Sequence, residues 1–258
     1  ASAAGAAEYQ IERSLRFNSA DSAYLSRTPS TAGNRKTWTW AGWVKFSAVT
    51  GAYGIFEAPF QSGGAGALSD VFEIWYSSGT IHLTDYGVYY FISAAKFRDP
   101  SAWQHFVFTC DTTQATASNR FKVYQNGVQL VNTGTGTITQ NLDTAVNNAV
   151  PHKIGRWRGN SANAYLADVH FIDGQALDPT SFGEFDDNGI WQPIEYTGTY
   201  GTNGFHLPFS DNSTAAALGT DTSGAGNNWT VNNISVAAGA GNDSLVDTPT
   251  SYGTDTGA

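Results

Sequence analysis

The chain has 258 residues, of which 41% are hydrophobic, 14% aromatic and only 14% charged, with 28 glycines and a net charge of −9. That length supports one large core, or a core with an appendage. The acidic balance, with a pI near 4.8, disfavours nucleic acid and anionic membrane surfaces as partners, and no run of about 20 apolar residues offers a membrane span.

The opening stretch ASAAGAA reads as an arm or linker within residues 1–12, and the absence of any methionine points to a processed chain or a fragment of a longer protein. From residue 13 to 179, short runs rich in β-branched and aromatic residues alternate with turn signals. SLRFN comes first. In TWTWAGWVKF, Trp38, Trp40, Gly42 and Val44 point to one face, and Thr39, Ala41, Trp43 and Lys45 to the other. VFEIWY and TIHL flank a Ser-Ser-Gly hairpin turn. FKVYQNGVQLV carries Asn126-Gly127, a strong hairpin signal. WQHFVFTCD, HKIGRW and AYLADVHFI complete the series. Helical turns are expected only near residues 180–184 and 94–97. The pattern predicts an all-β fold, a two-sheet antiparallel sandwich whose core holds Trp40, Val44, Phe106, Phe108, Val123, Ile154 and Phe171. Cys110 is the single cysteine. It can form no disulfide within the chain and reads as a small buried apolar residue.

After Gly198 the composition shifts to Gly, Ala, Ser, Thr, Asn and Asp, and residues 180–258 read as an extended C-terminal arm. Its large apolar anchors are few: Phe205, Leu207 and Phe209, which alternate as one more strand, then Leu218, Trp229, Val231, Ile234, Leu245 and Val246. Ordering a backbone costs about 1–2 kcal/mol per residue. Residues 180–258 are therefore expected to pack on the sandwich and/or a neighbouring subunit: FHLPF within its own chain, and the segment from Leu218 onward on a neighbouring copy, making a homo-oligomer or lattice. Sequons at Asn212, Asn228, Asn233 and Asn242 are expected by chance in such a composition.

SLRFNSADSAYLSRT, KTWTWAGWVKFS, WQHFVFTCD, FKVYQNGVQL, IGRW and AYLADVHFIDGQAL occur in the order and style of the LamG-like jelly rolls. Over residues 13–179 the chain resembles that group of the concanavalin A-like lectin/glucanase superfamily, which implies a jelly-roll sandwich. GIWQPIEYTGTYGTNGFHLPFSDN and NNWTVNNISVAAGAGNDSLVDTPT resemble segments that follow such jelly rolls in virion and tail-fibre-like proteins of marine bacteriophages. This second resemblance implies a non-catalytic structural or receptor-facing component of a bacteriophage particle. It would sit on the virion surface as a display or adhesion module, with other virion proteins as partners and a host-surface glycan as ligand. The alternatives are a secreted carbohydrate-binding module or adhesin, and a glycoside hydrolase.

The residues argue against hydrolysis. Glycosidases face two carboxylates across a groove, whereas Glu73 is alone on its strand and EFDDNG reads as a turn. No catalytic residue and no required cofactor are expected. The histidines, His82, His105, His152, His170 and His206, show no zinc spacing and read as strand-face residues. Asp168 is less easily placed, because alternation puts it on one face with Leu166, His170 and Ile172. The superfamily resemblance implies calcium near the closing strand, with Asp168 as a ligand and Asp21, in the turn NSADSAY, as the next. The alternative is a carboxylate hydrogen-bonded by the backbone or by a residue such as Arg16. For glycans, the candidates are flat rings outside the core, on which the apolar C–H faces of sugars stack: Trp75, Tyr86, Tyr89, Tyr90 and Trp157.

Overall fold

Alternating apolar residues carried through long strands close on each other as two layers. The computed structural model describes residues 9–59, 71–85 and 87–250. In chain order the strands are β1 (Ser14–Phe17), β2 (Tyr24–Arg27), β3 (Thr37–Phe46), β4 (Ala52–Pro59), β5 (Val71–Ser77), β6 (Thr80–Asp85), β7 (Val88–Ile92), β8 (Gln104–Asp111), β9 (Phe121–Gln125), β10 (Val128–Gln129), β11 (His152–Ile154), β12 (Arg156–Trp157), β13 (Asn160–Ser161), β14 (Ala164–Asp173), β15 (Gly183–Phe185), β16 (Trp191–Pro193), β17 (Phe205–Leu207), β18 (Thr230–Asn232) and β19 (Ser244–Leu245). The larger, eight-stranded sheet runs β10-β9-β8-β3-β14-β1-β19, with β17 also on β14; the smaller, seven-stranded sheet runs β18-β2-β11-β4-β5-β6-β7. Together they form an antiparallel jelly-roll sandwich. Among the described residues, no helix is long and apolar enough to cross a membrane.

The core between the sheets is aromatic: Trp38, Trp40, Phe46, Phe56, Phe72, Tyr76, Phe91, Phe106 and Phe108 are all fully buried. Trp40, Val44, Phe106, Phe108, Val123, Ile154 and Phe171 lie in it as expected, and so does Cys110. Ser78–Gly79 and Asn126–Gly127 turn their hairpins with positive φ at both residues, which matches the strand twist. Several strands escape the sequence reading: β2, β4, β7, which reads as a loop, and the short β13, β15, β16, β18 and β19. The turn expected near 180–184 is a 3-10 turn at Pro179–Ser181, whereas residues 94–97 form no helix.

The C-terminal extension packs on the sandwich, one of the two expected arrangements. It folds back on its own sandwich: β17 pairs with β14, β18 with β2 and β19 with β1. Phe205, Leu207, Phe209, Leu218, Trp229 and Ile234 join the main core. The part from Leu218 onward, expected on a neighbouring copy, thus finds partners within its own chain. Buried polar side chains hold the extension alongside these apolar anchors. Asp221 accepts the backbone N–H groups of His206, Ser223 and Asn227. Asp243 accepts the N–H of Ser235 and the Arg16 guanidinium. Asp173 accepts the N–H groups of Asn34 and Asn203. Hydrogen bonds to a charged acceptor are worth about 1.5–3 kcal/mol each.

The outer face of the larger sheet is also covered. Leu177, Phe182, Tyr196 and Tyr200 pack over Ala41, Val107 and Ile172. Beside them Tyr9, Ile11, Trp103 and Trp191 pack over Trp43 and Ala167. The last residues of the expected N-terminal linker are thus docked on the sheet, while residues 1–8 lie outside the described residues.

Candidate functional site

The outer face of the smaller sheet carries a short hairpin, β12–β13, that crosses directly over Gly54. A Cβ at Gly54 would come within 2.2 Å of the Arg156 carbonyl, so only glycine admits the crossing. The hairpin is fastened by two acids. Glu57 accepts Lys153 Nζ at 2.7 Å and the Arg158 N–H at 3.0 Å. Glu73 accepts Arg158 Nε at 2.7 Å and Nη2 at 3.0 Å, and the Thr84 hydroxyl at 3.0 Å. Glu57 and Glu73 face each other in register across β4 and β5, both buried, with cations over them. The sequence reading missed this pair because it passed over β4.

On this base lies a stack of rings. Trp157 lies flat on Trp75, with centroids 4.4 Å apart and planes 4° from parallel. His82 also stacks on Trp75 at 4.4 Å, and Tyr89 closes on His82 at 5.8 Å. Trp75 Nε1 donates to Thr84. Trp75 is only 7% exposed, so it is corrected from a surface ring to the floor of the stack, hidden by the hairpin. Trp157 is half-buried and Tyr89 is 40% exposed; these two rings reach solvent. Tyr90, half-buried, instead lines a groove of about 440 Å³ with Phe91, Phe121, Leu130 and Asn132. Tyr86 lies outside the described residues.

The second gathering of polar groups is on the opposite side of the sandwich. The register of β14 shifts between Ala167, opposite Trp43, and His170, opposite Ala41. Asp168 fills the bulge with φ of 50°, a left-handed conformation that aspartate tolerates better than most residues. Ala167, Asp168 and His170 therefore all reach the outer side, while Leu166 and Val169 reach the core. Simple alternation fails here by one residue.

His206 on β17 lies directly opposite His170, and the two rings stack at 4.2 Å, 6° from parallel. Asp168 Oδ1 lies 2.7 Å from His206 Nε2 and accepts the Tyr9 hydroxyl at 2.9 Å; its Oδ2 lies 3.2 Å from His170 Nε2. The other ring nitrogens are held too, His170 Nδ1 by the Tyr200 hydroxyl at 2.9 Å and His206 Nδ1 by Thr222 Oγ1 at 2.8 Å. Burial pushes the Asp168 carboxyl upward, but the two imidazoles outweigh it and hold the group well below the usual carboxylate range. Burial pushes the Tyr9 and Tyr200 hydroxyls up, and Asp168 adds to both shifts.

The expected partnership of Asp168 with Asp21 does not form. In the antiparallel pairing of β1 with β14, Leu15 faces Leu166 and Phe17 faces Ala164. Asp168 and Asp21 thus lie beyond opposite ends of the pairing. Asp21 is exposed and bonded to Asn18, and Arg16 pairs with Asp243 rather than with Asp168. The available hint was Asp168-x-His170 on one strand with a third donor in FHLPF; which histidine completes the set depends on long-range pairing.

Another buried imidazole gives a pH dependence. His152 accepts the Asn147 N–H through Nε2 and sits beneath Phe56; burial lowers its pKa from 6.5 to about 4. Above pH 6.5 it is neutral in both folded and unfolded chains. As pH falls from 6.5 towards 4 only the unfolded chain takes up the proton, so stability is lost in that window, by about 2–3 kcal/mol from this residue at 1.36 kcal/mol per unit. Urea midpoints across that range should fall with pH for the native chain and less steeply for His152→Gln; parallel curves would contradict it.

A two-sheet antiparallel sandwich of this topology is consistent with the concanavalin A-like jelly-roll fold. The chain belongs to the concanavalin A-like lectin/glucanases superfamily, whose family model matches residues 18–181. No curated protein matches it. Among solved structures it is similar to a candidate carbohydrate-binding protein from Bacteroides ovatus, with a TM-score of 0.53 and 13% identity over 87% of this chain and 59% of that one. A SAP-like pentraxin from Limulus polyphemus gives a TM-score of 0.44 and 16% identity over 66% of this chain and 79% of its own. Less than two thirds of the Bacteroides protein is covered, and 21% of a Trypanosoma rangeli sialidase. At these identities the likeness is one of fold.

Proposed function

We propose that the chain is a non-catalytic glycan-binding module that presents the outer face of its smaller sheet. The observation that carries this reading is the contrast between the two outer faces. The larger sheet is covered, whereas the smaller carries Trp157 and Tyr89 in solvent on a base of stacked rings and ion pairs. Rings held in place before a sugar arrives save the cost of ordering them. Glu57 and Glu73 are occupied by Lys153 and Arg158 in fastening the hairpin, which favours a binding role over hydrolysis. The fold likeness to a candidate carbohydrate-binding protein is in keeping with it.

On a glycan array the chain should retain a defined set of sugars. Trp157→Ala and Tyr89→Ala should each weaken a retained sugar about tenfold or more, the 1.4 kcal/mol expected of a stacking anchor. Unchanged affinity in both variants would move the site elsewhere, and release of reducing sugar that Glu73→Gln abolishes would replace binding by hydrolysis. A place on a bacteriophage particle, facing a host-surface glycan, is part of the same reading. Its support is the wording of the two C-terminal segments. Peptides of the chain should then appear in purified virions; their absence would favour a secreted carbohydrate-binding module or adhesin.

A further inference from the structure

We infer that Asp168, His170 and His206 bind a first-row divalent transition metal ion of the zinc class, which clasps the C-terminal extension to the sandwich. The three side chains each bring one donor atom to a common point, all within 4.8 Å of one another. Two come from β14 and one from β17, so an ion held by them would tie the tail to the body of the fold. Both imidazoles turn Nε2 towards the carboxylate, and each Nδ1 has its own hydroxyl partner, Tyr200 or Thr222. Metal-ligating histidines are oriented in this way, with the second nitrogen anchored. Each hydroxyl can accept an Nδ1–H, which leaves the Nε2 lone pair free for an ion.

The donor set decides the class of ion. Calcium takes six to eight oxygens, and this group offers two nitrogens and one carboxylate, which suits zinc, cobalt or their neighbours. The carboxylate already faces both imidazoles, Oδ1 at 2.7 Å from His206 Nε2 and Oδ2 at 3.2 Å from His170 Nε2, so an ion with bonds of about 2.0–2.1 Å is reached by side-chain turns that bring one carboxylate oxygen and the two nitrogens onto it. The His206 side chain is 16% exposed, which gives an ion a way in. The bulge is the fourth observation. It costs β14 its regular pairing and places Asp168 in a left-handed conformation, and it sits where β1 gives way to β17 along the same edge.

Full-length chain stripped with chelator would be titrated with cobalt. The expected result is visible d–d absorption that saturates at one ion per chain and is abolished by zinc. Zinc should also raise the melting temperature and slow proteolysis of the tail, both reversed by chelator. Asp168→Asn suits the left-handed backbone but loses the charge, and His206→Gln can still hydrogen-bond Asp168 but offers no imidazole. Both should keep the native circular dichroism and bind cobalt more than about tenfold more weakly, since even outer-shell changes cost metal sites that much. The inference is overturned if the native chain shows neither absorption nor a zinc-dependent melting shift. It is equally overturned if either folded variant binds cobalt as the native chain does, which would assign the ion to other histidines. Neither result bears on the glycan face.

Discussion

Phe108→Ala is expected to destabilise the fold by about 3–5 kcal/mol, the range for deleting a buried aromatic ring. Phe108 is fully buried on β8, opposite Trp40 on β3, with ring centroids 5.5 Å apart. Phe106 and Phe121 flank it at 6.1 and 6.5 Å. These neighbours are rigid rings anchored in strands, so they cannot collapse into the space a lost phenyl leaves. Domains are stable by about 5–15 kcal/mol in total. The denaturant midpoint should therefore fall sharply with little change in slope, and the melting temperature by about 2–4 °C for each kcal/mol lost. A midpoint that stays put would mean the ring is not where the structure has it.

Removing the chain after Asp211 should come close to unfolding the protein. The deletion takes away Leu218, Trp229 and Ile234, all buried in the main core, and strips β18 from β2 and β19 from β1. Each of those side chains contributes about 1.5–3 kcal/mol by burial, about 5–9 together. Trp229 also stands edge-on to Phe205 at 4.9 Å, and Arg16 and Arg27 lose the partners they have in Asp243 and Asn227. The shortened chain should lose its cooperative melting transition or show it far lower, and resist proteases poorly. A shortened chain that melts like the full one would reduce the extension to an appendage.

Local signals carried the strands and turns. Trp38, Trp40 and Val44 alternate on the inner face of β3 as the sequence indicates, and Asn126-Gly127 turns its hairpin. What could not be read depends on contacts far along the chain. The bulge at Asp168 is a mismatch of register against β3, and it reverses the face assignment on either side of it. Alternation puts Trp75 on one face with Glu73, but its burial depends on a hairpin crossing Gly54 from a hundred residues further on. Glu57 and Glu73 meet only because β4 and β5 pair across residues 60–70. The extension misled for a different reason. Composition counts apolar surface, and Asp221 and Asp243 add hydrogen bonds to the few anchors Leu218, Trp229 and Ile234 in ordering this segment.

The positions of β18 and β19 have one more consequence. A β-sandwich ends in strands whose free N–H and C=O groups invite another sheet to add on, the usual seed of aggregation. Here the last strand at one side of each sheet comes from the extension and is short, Thr230–Asn232 on the smaller sheet and Ser244–Leu245 on the larger. At the other side the larger sheet ends in β10, only Val128–Gln129, and a bridge from Ser93 to Asn132 joins the chain just past β7 to the chain just past β10. Among the described residues, neither sheet offers a long bare rim for another molecule to extend. Copies of the chain at high concentration should therefore have little tendency to zip together edge to edge.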